Sequence, residues 1–287
     1  MDLWFDGVMD SVEMALKDRK PATMQVGRTE TENIGFVRRY WRADGNLAGG
    51  GTQSLYVSSN SPIVSHESEG DEEVQMVKLV REDAKDILIG QWQNHGCHMG
   101  NTTIASTDWI GPMRKKVEET LDCHYIYMQG AAGNMATDSR IKSEYPESKS
   151  VDEVGEAVAN VIIEAYNKSE TFKSVNTGEI KTKQEQFSAV GKVDGGAWTG
   201  ELNTLSIGDV SVVTFPVEVF AETGIEIKEG SPYEMTLLMG YSNGIHGYVA
   251  TREAYMNGGY EAHSRGEADT AERLVETYLN TLKELHK

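Results

Sequence analysis

Only two cysteines, Cys97 and Cys123, occur in 287 residues, so the chain has no disulfide framework to rely on. It lacks any run of about 18 apolar residues, which excludes a transmembrane helix. The opening Met1-Asp2-Leu3-Trp4-Phe5-Asp6 has no basic stretch and no apolar core, so it does not read as a signal peptide. With Met1 as the true start, the expected location is cytoplasmic. Positive charge is also scarce: 27 Lys and Arg stand against 45 Asp and Glu, a net charge of −18. Repulsion from phosphate backbones and anionic lipid argues against nucleic acid as a partner. The amphipathic helices carry no basic face, which argues against a membrane-surface role. Gly49-Gly50-Gly51 has neither the strand–turn–helix context nor the Lys-Ser/Thr of a phosphate loop. No internal repeat or low-complexity tract is present, and no signal bears on oligomeric state.

What is present is ordinary for a globular chain, with 39% hydrophobic and 25% charged residues. The length suffices to bury a real core, and no linker divides it, so residues 1–287 read as one domain. Residues 3–19 place Leu3, Trp4, Val8, Val12 and Leu16 on one face of an amphipathic helix that stops before Pro21. A strand is expected over 22–26, followed by a long Gly- and Ser-rich loop over about 43–72 that ends in an acidic run. Paired strands over 74–80 and 86–93 flank Arg81-Glu82-Asp83. A helix follows over 108–121, then a short strand over 124–129. Ser150 and Glu153 form a capping box for a helix over 151–167. Strands dominate 172–216, with a hairpin across Gly208-Asp209. A helix after Pro216, a strand over 235–241 and a last helix over 267–286 complete the chain. Such intermingling predicts an α/β fold in mixed α+β layers, with mixed sheets flanked by helices.

Three segments set reactive side chains beside sharp turns. Asn94-His95-Gly96-Cys97-His98-Met99-Gly100 ends an apolar strand. If strand geometry persists, His95 and His98 point to opposite faces, and a strand-end histidine is more often a hydrogen-bonded core or loop residue than a ligand. Gln129-Gly130-Ala131-Ala132-Gly133-Asn134 lets backbone approach a ligand closely, and its amides would suit an oxyanion; a tight turn packed on a helix is the bland alternative. Phe215-Pro216-Val217-Glu218-Val219-Phe220 puts a carboxylate among apolar residues at an expected helix start, where it is costly unless paired or metal-bound. Farther on, the stretch from Gly247 to Glu261 is dense in tyrosine and glycine, a composition more common in pocket walls than in cores.

Taken in order, these segments resemble the neutral ceramidases and their bacterial relatives. Gly35-Phe36-Val37-Arg38-Arg39-Tyr40 with Asp44-Gly45 is similar to that family's Gly-Phe-Asn-Arg-Arg-Tyr and Asp-Gly. Asn94 to His98 resembles Asn-Phe-Ala-Cys-His, and Gln129 to Asn134 resembles Gln-Gly-Ala-Cys-Gly-Asp. Phe215 to Phe220 resembles Leu-Pro-Gly-Glu-Val-Phe, and Tyr248 to Glu261 the family's tyrosine-rich series. Five matches in order, over roughly residues 15–285, carry the resemblance.

It implies a fold like the ceramidase N-terminal catalytic domain, and a zinc ion held by His98, Glu218 and Tyr248. Tyr260 would be a pocket tyrosine near the scissile group, Arg38 would line the site, and backbone amides near Gly130 would steady the oxyanion. The implied activity is cleavage of an N-acyl (amide) bond, in a small-molecule or lipid-like substrate, by metal-activated water. Two departures qualify it. The family's first zinc ligand lies in a His-Thr-His-Ser motif that this sequence lacks, so an N-terminal part of roughly a hundred residues is expected to be missing. His66 or His95 would be the substitutes within this chain, and a second chain supplying the part is the other possibility. The family's serine is replaced by Gly130 and an aspartate by Asn134, which removes a serine-assisted route. A catalytically inert remnant or binding module of the same fold is the alternative.

Overall fold

The computed structural model describes residues 2–50, 55–100, 102–191, 196–262 and 266–287, with side chains from residue 5 onward. Gly51, residues 192–195 of the expected strand region and the side chains of Leu3 and Trp4 lie outside the described residues.

Two sheets stack between helices. The first has the spatial order Phe172–Ser174, Ala22–Glu30, Glu73–Arg81, Ile87–Trp92, His124–Gln129. Its last junction is parallel and the others antiparallel. A parallel pair needs a crossover, and the helix Ile110–Leu121 lies within it. Side chains alternate across each strand. Val74, Met76, Leu88 and Trp92 therefore face Met113, Val117, Val158 and Ile162 of Ile110–Leu121 and Val151–Asn167, while Val77 and Ile89 face Val210 and Leu237 of the second sheet.

The second sheet runs Ile180–Val190, Ala197–Ile207, Val210–Thr214, Met235–Met239. Its last pair is also parallel, and Ala221–Gly230 lies in that crossover. Leu274, Tyr278 and Leu282 of the helix Thr270–Leu285 pack on its outer side against Phe187, Leu202 and Val213. The architecture is thus mixed α/β in layers, helix–sheet–sheet–helix.

Local chemistry explains several elements. The capping box is complete: Glu153 N–H donates to Ser150 Oγ (3.2 Å) and Ser150 N–H to a Glu153 carboxylate oxygen (2.7 Å). Gly208, at φ +55°, makes the tight turn between Ile207 and its partner Val210. Two expectations are corrected. The stretch 43–72 contains Leu47–Gly49 and Ile63–His66, which pair on either side of Arg39–Arg42; strands this short show no alternation of their own and exist through that partner. The first helix spans Asp2–Lys17, but its apolar residues Val8, Val12 and Leu16 are exposed. Both faces of the adjoining sheet are covered by other elements, so the stripe is not part of either core. No described helix is long and apolar enough to cross a membrane.

Candidate functional site

The two parallel pairs end on one rim. His95 lies just beyond Ile87–Trp92, Gly130 beyond His124–Gln129, Glu218 beyond Val210–Thr214 and Tyr241 beyond Met235–Met239. The Gly240 amide donates to the Gln129 carbonyl at 2.8 Å, so the strand ends of both sheets meet. Carboxyl ends of parallel strands are a common place for ligand sites.

Glu218 does not start a helix. It forms a short strand, Glu218–Val219, parallel to Tyr248–Val249, with Glu218 opposite Tyr248. The Glu218 amide donates to the Gly247 carbonyl (2.9 Å), which satisfies the backbone as a strand, and the helix begins only at Ala221. The half-buried carboxylate lies 3.0 Å from His95 Nε2 and accepts from the Tyr241 hydroxyl at 3.1 Å. Arg38 donates from Nη2 to the Tyr248 hydroxyl and to the Gly133 carbonyl, each at 3.1 Å. The Tyr260 ring meets the Tyr248 ring edge to face, 5.5 Å between centres.

Electrostatics set the protonation of this group. Burial pushes the Glu218 carboxyl up, but the hydrogen bond and charge of His95, with the Tyr248 and Tyr241 hydroxyls, outweigh it and hold the pKa below the usual range. Burial raises both phenols, and the Glu218 charge adds to the rise while Arg38 opposes it. Glu218 is therefore the ionised acceptor and the tyrosines are protonated donors.

Behind Arg38 lies a buried ionic brace. Glu261, fully buried, accepts from Arg38 Nε at 2.8 Å and from Arg39 Nη1 at 2.9 Å. Arg39 also pairs with Glu67 and donates to the Gly258 carbonyl at 2.8 Å. The Tyr56 hydroxyl reaches Glu261 at 3.2 Å, and burial, reinforced by that carboxylate, pushes the phenol up to about 12.

The turn after His124–Gln129 forms the floor. A Cβ on Gly130 would come within 2.2 Å of Gln91 Nε2 and 2.3 Å of Gln93 Oε1, both on buried, mutually bonded side chains. The Gly130 amide donates to the Trp92 carbonyl at 3.0 Å. It is committed to the fold, so Gly130 itself offers no free donor to an oxyanion. Asn134 caps the helix Ala221–Gly230 from a distance: its Oδ1 accepts from the Ala221 amide and its Nδ2 donates to Glu222, each at 2.9 Å. An aspartate there would have no proton for Glu222, which accounts for the amide.

Of the residues expected from sequence, the structure brings together Arg38, Glu218, Tyr248 and Tyr260, with Gly130 below them. It does not bring His98. That ring is bonded at both nitrogens, Nδ1 to Thr137 Oγ1 and Nε2 to the Lys149 carbonyl, each at 2.8 Å. Asp108 accepts from the His98 and Met99 amides at 3.0 and 2.9 Å. The strand ends at Trp92, so strand alternation does not govern the histidines, and the turn held by Asp108 carries His98 aside. Sequence reasoning gave His95 second place and passed over Tyr241 and Glu261. A tyrosine directly after the Gly240 that ends a strand was the signal for Tyr241; nothing local marks Glu261.

The donor set fits zinc in kind. His95 Nδ1 lies 2.9 Å from the Met135 carbonyl, an acceptor only, so Nδ1 carries a proton and Nε2 is the nitrogen that faces the Glu218 carboxylate. Two acceptors facing each other require either a second proton or a shared cation, and a carbonyl behind the imidazole is the usual support of a metal-bound histidine. The number of strong donors is small: among the described residues no three His, Cys, Asp or Glu side chains converge on a metal site, and Tyr248 would be the third donor.

In fold, the chain is similar to the crystal structure of neutral ceramidase from Pseudomonas aeruginosa, with a TM-score of 0.73, 16% identity, and 98% of this chain matched to 55% of that one. It is likewise similar to a ceramidase complexed with C2, with a TM-score of 0.70, 14% identity, and 93% of this chain matched to 54% of the other. At these identities the likeness is one of fold. The chain spans about half the length of the structures it matches. No protein-family model and no curated protein matches the sequence.

Proposed function

We propose that this chain is a ceramidase-like, zinc-dependent hydrolase of an N-acyl (amide) bond. The observation that carries the reading is the His95–Glu218 pair, ringed by Arg38, Tyr241 and Tyr248 on the rim where the sheets end, in a chain with the neutral ceramidase fold. His95, Glu218 and Tyr248 would hold the zinc. When bound, zinc polarises a carbonyl and lowers the pKa of water. The chain's own contribution is positional. Arg38 orients the Tyr248 hydroxyl, the Met135 carbonyl fixes the His95 tautomer, and Tyr241 donates to the carboxylate.

Metal content of the purified, zinc-supplemented chain tests this. Zinc near one per chain is expected, lost in His95→Ala and Glu218→Ala and retained in His98→Ala. Retention in His95→Ala with loss in His98→Ala would transfer the ligand role to His98. Two further readings each have an observation behind them. One histidine and one carboxylate are few ligands, which favours an inert binding module and no zinc in any variant. The exposed stripe of Val8, Val12 and Leu16 favours a further segment that covers it and completes the ligand set; size measurement and cross-linking of the natural protein would reveal one on a second chain.

A further inference from the structure

A cavity of about 640 Å³ adjoins the site, with His95 in its wall. The charged side chains around it are Arg140, Lys142 and Lys149 on the basic side, with Asp138 opposing them. In a chain of net charge −18, this is an inversion of sign. Many lysines and arginines elsewhere pair with carboxylates, as Lys228 does with Asp71 and Glu73, Lys85 with Asp122, and Lys183 with Glu284. These three have no carboxylate partner among the described residues: Arg140 lies over the Tyr40 ring and Lys149 over the Tyr145 ring. Unpaired cations of one sign around a concave wall attract and hold an anion, and a neutral lipid would gain nothing from covering them.

We infer that this cavity receives the anionic head of the substrate, a carboxylate or a phosphate, while the acyl amide lies at His95 and Glu218. The substrate class is then an anionic N-acyl compound rather than a neutral sphingoid amide. The inference rests on the reading above that an amide is bound at that pair.

Calorimetric titration of the full chain with three probes tests it: N-hexanoylglycine, N-hexanoylaminoethyl phosphate and the neutral N-hexanoylglycinamide. At least one anionic probe should bind about tenfold or more tighter than the neutral amide, with a preference that shrinks as salt rises. The tighter of the two anions identifies a carboxylate or a phosphate head. Arg140 and Lys142 are exposed, so the double variant Arg140→Glu, Lys142→Glu should fold and lose the preference. Equal affinity for the three probes, absence of anion binding, or a preference unchanged in the double variant overturns the inference. The two readings fail separately. Anion preference in a chain that holds no zinc and cleaves no amide removes the hydrolase alone; zinc-dependent cleavage with equal affinities removes the anionic head alone.

Discussion

Arg38 and Arg39 are adjacent in sequence, end on the two oxygens of one carboxylate, Glu261, and serve opposite ends. Arg39 faces rearward and is saturated, with Glu67, Glu261 and the Gly258 carbonyl around a fully buried guanidinium. Arg38 faces forward, keeps partial exposure and lends a hydrogen bond to Tyr248. The rear is a completed ionic lattice, and the front is a set of donors and acceptors with capacity left over. The ionic brace and the candidate site are thus separated by the width of one glutamate.

The separation predicts unequal costs. Glu261→Ala removes the shared acceptor and leaves two buried guanidinium groups short of charge, so a loss of about 3–5 kcal/mol is expected in urea unfolding. Glu218→Ala, on the open side, strands His95 Nε2 and the Tyr241 hydroxyl and should cost less, about 1–3 kcal/mol, while removing the zinc binding proposed above. Equal costs for the two would erase the distinction between brace and site.

The floor of the site belongs with the rear. Gly130→Ser places Cβ on the Gln91 and Gln93 side chains, so overpacking of about 1–3 kcal/mol is expected, with no gain in amide cleavage. A neutral or activating serine would show that the glutamines yield.

The smallest effect is expected at Glu222, beneath Asn134. Burial, opposed by the hydrogen bond from Asn134, raises its carboxyl above the usual range. A raised pKa means that the folded state binds the proton more tightly, so the wild-type chain loses stability as pH rises through that value. Glu222→Gln keeps an acceptor for Asn134 and should be more stable than wild type near neutral pH. The advantage should shrink as pH falls through the raised value and be gone once pH is below about 4.3, the ordinary glutamate value. Paired thermal melts at two pH values read it directly.

Legibility in the sequence followed the range of the cause. The helix Val151–Asn167 was readable because its cap, Ser150 and Glu153, lies within its own first turn. His124–Gln129 and Thr270–Leu285 were readable because each buries a regular face. Leu47–Gly49 and Ile63–His66 were not, because only pairing with Arg39–Arg42 makes them strands. In the site, Glu218 and Tyr248 stood out as polar groups in apolar or glycine-rich surroundings. The place of His95 depended on where a strand stops and on a carbonyl, Met135, that is distant in sequence. Glu261 has no local mark, since its partners are near the other end of the chain.

The rim that joins the strand ends has a consequence for how the molecule is made. His95 and Glu218 are 123 residues apart, and Arg38 and Glu261 are 223 apart. Contacts of such separation form only after long loops have closed, which places them late in folding. Each sheet can acquire its parallel pair before the other exists, yet the rim appears only when both are stacked. A chain arrested at either sheet alone would have much of its secondary structure and none of its chemistry.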